Sequence, residues 1–228
     1  MLRRIAINLN QEDLMSSRYN HMLKVVSTKN KLRYSVLKGF VEVVSNYNPF
    51  LYEVDEASWE EMSKYSTVWE PLFRDHHSLY FKDFKPTEVE LKNMYCAYYG
   101  LCKVPYHKVA LRANFKENPY VLIQQPIKNL EVAAEHLKTM AAHFPHIKEP
   151  FKWAVASVAY FSDPIKIMDM IKAIKSTTVG DAVQHPDALQ KALRKGFGDQ
   201  ADSLIDLVDN FRIAQEKYQK EELEMMVS

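Results

Sequence analysis

The sequence predicts an all-α protein, with an irregular helical N-terminal half that runs into a short array of about three stacked helical hairpins, an α-solenoid. Three observations carry this expectation. Apolar residues recur at the i, i+3, i+4, i+7 spacing of a helix face through most of the chain. Glycine occurs only five times in 228 residues, too few for the tight turns of an all-β protein or for a phosphate-cradling loop. One apolar stripe, Ile167, Met170, Ile171 and Ile174 in "FSDPIKIMDMIKAIK", returns at a fixed distance on either side.

Taken in order, the opening "MLRRIAINLNQ" holds Arg3 and Arg4, apolar residues at Leu2, Ile5, Ile7 and Leu9, and no acid before Glu12. That is the composition of a mitochondrial targeting segment over residues 1–11, and the terse "MLRR" resembles the openings of kinetoplastid mitochondrial proteins. Residues 12–112 are expected to form a helical N-terminal region. Leu14–Val26 and Leu32–Val44 read as amphipathic helices, the second with Leu32, Val36, Phe40 and Val43 on one face. "NYNPFLYEVD" breaks the pattern at Pro49. A short helix is expected over Glu56–Tyr65, then an aromatic, irregular stretch bounded by Pro71 and Pro86. Thr87-x-x-Glu90 has the spacing of a capping box and opens a helix expected to reach about Lys103. Pro105–Arg112 reads as one more short helix.

Residues 113–228 are expected to form the repeat region. Stepping 37 residues back from the opening stripe gives Leu130, Ala133, Ala134 and Leu137; stepping 37 forward gives Leu204, Leu207, Val208 and Phe211. All twelve positions are apolar and each set lies on one helix face. A second apolar segment precedes each stripe, at Asn118–Ile123, Phe151–Phe161 and Ala188–Phe197. One helical hairpin cannot bury both of its faces alone, so such units stack and share a core. The last helix, about Asp199–Glu224, has a dry face at Leu204, Val208, Phe211 and Tyr218 and is otherwise charged, as a terminal cap should be.

"FKWAVASVAYFSDPIKIMDMIKAIK" and "ALQKALRKGFGDQADSLIDLVDNF" resemble pentatricopeptide-type hairpins, with tetratricopeptide repeats as the near neighbour. The likeness covers roughly residues 113–220 and is one of pattern and length, with a step slightly longer than either family's and a proline, Pro119, in the first hairpin. The basic opening, the opposite charges of the two ends, the aromatic content and the missing catalytic set point to a non-catalytic subunit that docks with protein partners. One example that the chain looks like is the pentatricopeptide-like subunit on the F1 part of euglenozoan mitochondrial ATP synthase. A mitoribosomal or respiratory-complex accessory subunit fits equally.

Many pentatricopeptide proteins read RNA one base per repeat. Alignment to the stripes puts the first reading position at Lys116, Trp153 and Gln190, and the second at His146, Val183 and Lys220. None of the three pairs suits a base edge, and the final helix is acidic. Lys116, Trp153 and Gln190 are therefore candidate partner-facing positions for protein. The basic residues Arg3, Arg4, Arg18, Lys29, Lys31 and Arg33 give the N-terminal end a positive sign, against an acidic C-terminal end. That polarity suits docking into an assembly.

No chemistry-bearing motif stands out. His76-His77 are adjacent and lack a spaced third ligand. Asp75, His76 and Ser78 are too close in sequence for triad geometry. Cys96 and Cys102 lack a zinc pattern and read as two buried or half-buried thiols. No run of about 18 apolar residues suggests a transmembrane span. The expectation is a protein that is not an enzyme, takes no cofactor, metal or small-molecule substrate, and works by protein–protein docking on the matrix side of the mitochondrion. The second reading is an RNA-binding protein of an organelle, or a viral nucleoprotein.

Overall fold

The structure, a computed structural model, describes residues 17–64, 71, 73–78, 85–110, 117–149, 151–177 and 186–227. The candidate targeting segment, with Arg3 and Arg4, lies outside the described residues, as do Lys116 and Val183. The protein is mostly helical. Its helices are α1 (residues 17–29), α2 (Tyr34–Ser45), α3 (Glu56–Ser63), α4 (residues 73–78), α5 (Glu88–Tyr95), α6 (Tyr106–Ala110), α7 (Val121–Gln124), α8 (Pro126–Ala142), α9 (Phe151–Phe161), α10 (Pro164–Thr177), α11 (Pro186–Phe197) and α12 (Ala201–Val227).

Contacts divide the chain into two units. One takes the described residues up to Val44 together with those from Ala134 onward; the other is Ser45–Ala133. The boundary expected near residue 112 is not where the contacts part. Sequence order suggested it, but the N-terminal helices pack with the C-terminal ones.

In the first unit, α1 buries Tyr19, Leu23 and Val26, the i, i+4, i+7 stripe of a helix face. It ends where Lys31 takes a left-handed conformation (φ 52). The Leu32 N–H then donates back to Ser27 O at 2.9 Å, a helix stop of the Schellman kind.

Helix α2 is buried over most of its length. The Phe40 ring lies 4.8 Å from Tyr160 of α9 and 6.2 Å from Phe211 of α12. Gly39 lets α12 approach: a Cβ there would stand 3.1 Å from Gln215 N. No acid lies in the first turn of α2, and the missing cap comes from α12. The Tyr34 N–H donates to Glu222 Oε1 at 3.2 Å and the Ser35 hydroxyl to Glu222 Oε2 at 2.7 Å. One turn on, Lys38 is only 2% exposed. Its Nζ donates to both Glu221 oxygens at 2.9 and 2.8 Å and sits 4.3 Å from the centre of the Tyr218 ring. Burial holds the Lys38 ammonium below the usual lysine pKa, and the Glu221 carboxylate opposes that shift. Glu42 accepts from the Tyr218 hydroxyl and, at 3.2 Å, from Lys217.

Helices α7/α8, α9/α10 and α11/α12 follow one another in the order that the three expected hairpins require, but α7 is a single turn. Within the first unit, α9 packs on α10, α10 on α11, α11 on α12, and α12 back on α9. The four helices thus make a ring of contacts, where an open array of stacked hairpins would leave first and last apart. The stripes behave accordingly. Leu130, Ala133, Ala134, Leu137 and Ile167 are buried, as are Val208 and Phe211. Leu204 and Leu207 are only half-buried, and Ile205 is buried at 6% exposure. The dry face of α12 runs through Ala201, Ile205, Val208, Phe211, Ala214 and Tyr218, because this helix answers to α9, α11 and α2 together.

The second unit departs from the all-α expectation by a three-stranded antiparallel sheet of order β1-β2-β3, with β1 Tyr52–Val54, β2 Ala97–Tyr99 and β3 Val104–Pro105. Tyr52 pairs with Tyr99 and Val54 with Ala97; Tyr99 also pairs with Val104. The capping box at Thr87 forms, with Glu90 Oε2 accepting from the Thr87 N–H at 2.8 Å. The helix it opens stops at Tyr95, though, well short of Lys103. Tyr98 and Tyr99 favour extended backbone, and Gly100 takes φ +67 to begin the turn into β3.

Replacing Glu222 by Ala strips the acceptor from the Tyr34 N–H and the Ser35 hydroxyl. We expect a loss of about 1–2 kcal/mol of stability, read as a lower urea midpoint at unchanged slope. Glu222→Gln keeps one acceptor oxygen and should lose less.

Candidate functional site

Polar chemistry with access to solvent gathers in the Ser45–Ala133 unit, in a cleft of about 340 Å³ lined by Tyr52, His77, Glu90, Asn93, Met94, Asn118 and Tyr120. Its walls come from separate elements. Tyr52 stands on β1, and its hydroxyl donates to Asn93 O at 3.1 Å. Glu90, Asn93 and Met94 lie on α5. Asn118 and Tyr120 form the turn before α7, where Asn118 Oδ1 accepts from the Tyr120 N–H at 2.9 Å. Pro119 and Pro126 confine α7 to a single turn, which is why the first hairpin lacks a full A-helix.

Beneath the cleft lies a layer of buried tyrosines. Tyr99 meets Tyr52 edge-to-face at 5.4 Å and Tyr120 at 6.2 Å. Its hydroxyl donates to Met94 O at 2.8 Å. Tyr106 packs at 5.9 Å from Tyr99 and at 5.1 Å from Tyr95. Burial raises the pKa of Tyr95, Tyr99 and Tyr106, so all three act as hydrogen-bonding hydroxyls on an apolar ring. Burial likewise pushes the Cys96 thiol up to about 12 and raises that of Cys102 further. Both cysteines are buried and neither is in a disulfide.

The turn that carries Tyr120 is tied down by Asn129 near the start of α8. Asn129 is fully buried. Its Nδ2 donates to Tyr99 O at 2.7 Å and Leu122 O at 3.0 Å, and its Oδ1 accepts from the Cys102 N–H at 2.9 Å. Gly100 makes room for it: a Cβ there would lie 2.5 Å from Asn129 Nδ2 and 2.4 Å from Leu122 O.

Several other ionisable groups of this unit are tied into its structure. Asp55 receives the Ser58 hydroxyl and the Ser58 N–H at the start of α3, and the Tyr98 hydroxyl at 2.5 Å. Burial would raise its pKa, but these donors hold it below the usual carboxylate value. His107 is pushed down to about 4, chiefly by burial and then by Lys108. His76 meets Tyr95 at 2.8 Å through Nδ1, and burial with His76 beside it lowers the pKa of His77. Among the described residues no three His, Cys, Asp or Glu side chains gather as a metal site, and no helix is long and apolar enough to cross a membrane.

Of the partner-facing positions expected from the repeat, Lys116 lies outside the described residues, and Trp153 and Gln190 each make a local hydrogen bond. Trp153 is half-buried on α9 and donates from Nε1 to Glu149 Oε1 at 2.9 Å. Gln190 on α11 donates to Asp209 Oδ2 at 3.0 Å. Of the basic positions, four fall within the described residues. Arg18 lies over the ring of its neighbour Tyr19, and Lys29 and Lys31 are exposed. Arg33 reaches Glu149 at 3.4 Å and Glu222 at 3.7 Å. One carboxylate, Glu149, therefore joins Arg33 and Trp153. The cleft residues were missed in the sequence because they are spread over four elements. The exposed aromatics in "NYNPFLYEVD" and "ENPY" were the available signal.

Comparison of the chain with protein-family models, with curated proteins and with solved structures gave no match.

Two outcomes check this geometry. Asn129→Leu removes three hydrogen bonds to main-chain groups of buried residues, and we expect about 2–4 kcal/mol of destabilisation by chemical denaturation. His107 binds its proton near pH 4 when folded and near 6.5 when unfolded, so the unfolded state takes up protons first as pH falls. Stability is full above about pH 6.5 and declines toward pH 4 by up to about 3 kcal/mol. His107→Gln should flatten that part of the pH–stability curve.

Proposed function

We propose that the protein is a non-catalytic structural or adaptor subunit of a mitochondrial multiprotein assembly, acting by protein–protein docking. The observation that carries this reading is the cleft with its half-exposed rings, Tyr52 at 44% and Tyr120 at 50% exposure. Tyrosine at such a position supplies large contact area with a polar tip, the residue type enriched where proteins meet. Phe50 and Val89, in the same unit, are exposed to 76% and 64%. The ion pairs of the first unit support the reading from the other side. Lys38, Arg33, Glu221 and Glu222 hold helices to one another.

The mitochondrial setting rests on the composition of residues 1–11. The pentatricopeptide-type ancestry rests on the three consecutive helix pairs, whose second helices begin at Pro126, Pro164 and Ala201, within a residue of the 37-residue step. An ATP synthase, a respiratory complex and a mitoribosome are the assemblies this reading admits.

The test is mild affinity purification of the tagged protein from its source cells, run on a native gel with and without ribonuclease. The reading expects a large complex that survives ribonuclease and contains mitochondrial subunits. Collapse to free protein on ribonuclease treatment would sink it in favour of RNA binding.

A further inference from the structure

We infer that the cleft of the Ser45–Ala133 unit receives a cationic side chain, lysine or arginine, borne on a basic segment of a partner protein. This inference rests on the docking reading and names the chemistry of the partner. The cleft is lined by two half-exposed tyrosine rings, a carboxylate, two carboxamides and a thioether. Ring faces attract a cation through the negative side of their quadrupole. The carboxamide oxygens of Asn93 and Asn118 and the Glu90 carboxylate are acceptors for N–H donors. Among the described residues no lysine or arginine lines the cleft.

Three lysines of the surrounding elements are engaged with other groups. Lys92 lies 5.2 Å from the centre of the Trp59 ring, Lys103 pairs with Glu53 at 2.8 Å, and Lys128 pairs with Glu117 at 2.7 Å. His77 on the wall is buried at 3% exposure and, with its lowered pKa, is neutral at neutral pH. Glu90 is exposed and ionised, since the Thr87 hydrogen bonds lower its pKa. The lining charge is thus negative, and a phosphate or carboxylate ligand would meet repulsion with no compensating cation among the lining residues. A volume near 340 Å³ stands at the lower end of ligand sites, roughly 300–1,000 Å³. That suits one inserted side chain better than a cofactor.

Capping chemistry permits a clean test. Glutamine at the third position of a helix keeps a capping box, so Glu90→Gln removes the charge and leaves the start of α5 intact. The full-length protein is titrated against three labelled peptides of equal length, with glycine alternating with arginine, glutamine or leucine, and followed by fluorescence anisotropy. We expect the arginine peptide to bind in preference. Glu90→Gln and Tyr120→Leu should each weaken that binding by about fivefold or more, the scale of one lost cation contact. Glu88→Gln, an exposed acid outside the cleft on the same helix, should change it less than about twofold, which separates the cleft from bulk charge.

Equal binding of the glutamine or leucine peptide overturns the inference. So does no binding of the arginine peptide, or an unchanged affinity in Glu90→Gln. Single-stranded RNA that binds more tightly once Glu90 is neutralised also overturns it. Recovery of the native complex is scored separately. An assembly that forms around a protein blind to the arginine peptide removes the cationic assignment and leaves docking in place. A protein that binds the peptide but is recovered alone does the reverse.

Discussion

The second unit depends on one carboxamide. Asn129 stands at 0% exposure and answers the Cys102 N–H, the Tyr99 carbonyl and the Leu122 carbonyl. Those three groups belong to the turn after β2, to β2 itself and to α7. Each is a main-chain group of a buried residue, and the carboxamide offsets part of the cost of its desolvation. A single side chain therefore fixes the end of the sheet to the helix behind it. The absent Cβ of Gly100 is the steric counterpart: the turn can close only where the carboxamide passes.

The first unit solves the same problem by the same means. The Tyr34 N–H that opens α2 has no acceptor within its own helix, and the first turn has no acid of its own. Glu222, on a helix more than 180 residues later, supplies the carboxylate. Position matters as much as hydrogen bonding, because a negative group at a helix N-terminus also meets the favourable end of the helix dipole. Lys38 follows from this placement. Once α12 is held at the start of α2, the α2 face one turn on is covered, and a lysine there must be desolvated. Its bond to Glu221 and its place over the Tyr218 ring make that burial tolerable.

Both staples join residues far apart in sequence, and that decides what could be read in advance. Helix α9 was legible to its end residues because "FKWAVASVAYF" is apolar nearly all round and breaks at Ser162-Asp163-Pro164. The capping box at Thr87 was legible because it is local. The end of α5 was not: Ala97–Tyr99 became a strand through pairing with Tyr52–Val54, some 45 residues earlier, and nothing near Tyr95 announces that partner. The face of α12 was misjudged by one residue, Leu204 for Ile205, because a 37-residue comparison assumes each hairpin meets the same neighbours. Here α12 meets α9 as well as α11. Asn129 and Glu222 look like ordinary polar positions on helices until the distant main chain arrives.

The cleft follows from this long-range order. Tyr52 and Tyr120 come from a strand and a loop separated by nearly seventy residues, yet both rest on the ring of Tyr99. Tyr99 is held at three points: by its strand pairing to Tyr52 and Val104, by its carbonyl to Asn129, and by its hydroxyl to Met94 O. The two rim rings thus lean on a buried group with little freedom to turn. A partner side chain entering between them would find the walls already arranged, and the ordering cost that weakens most surface contacts would fall mainly on the partner.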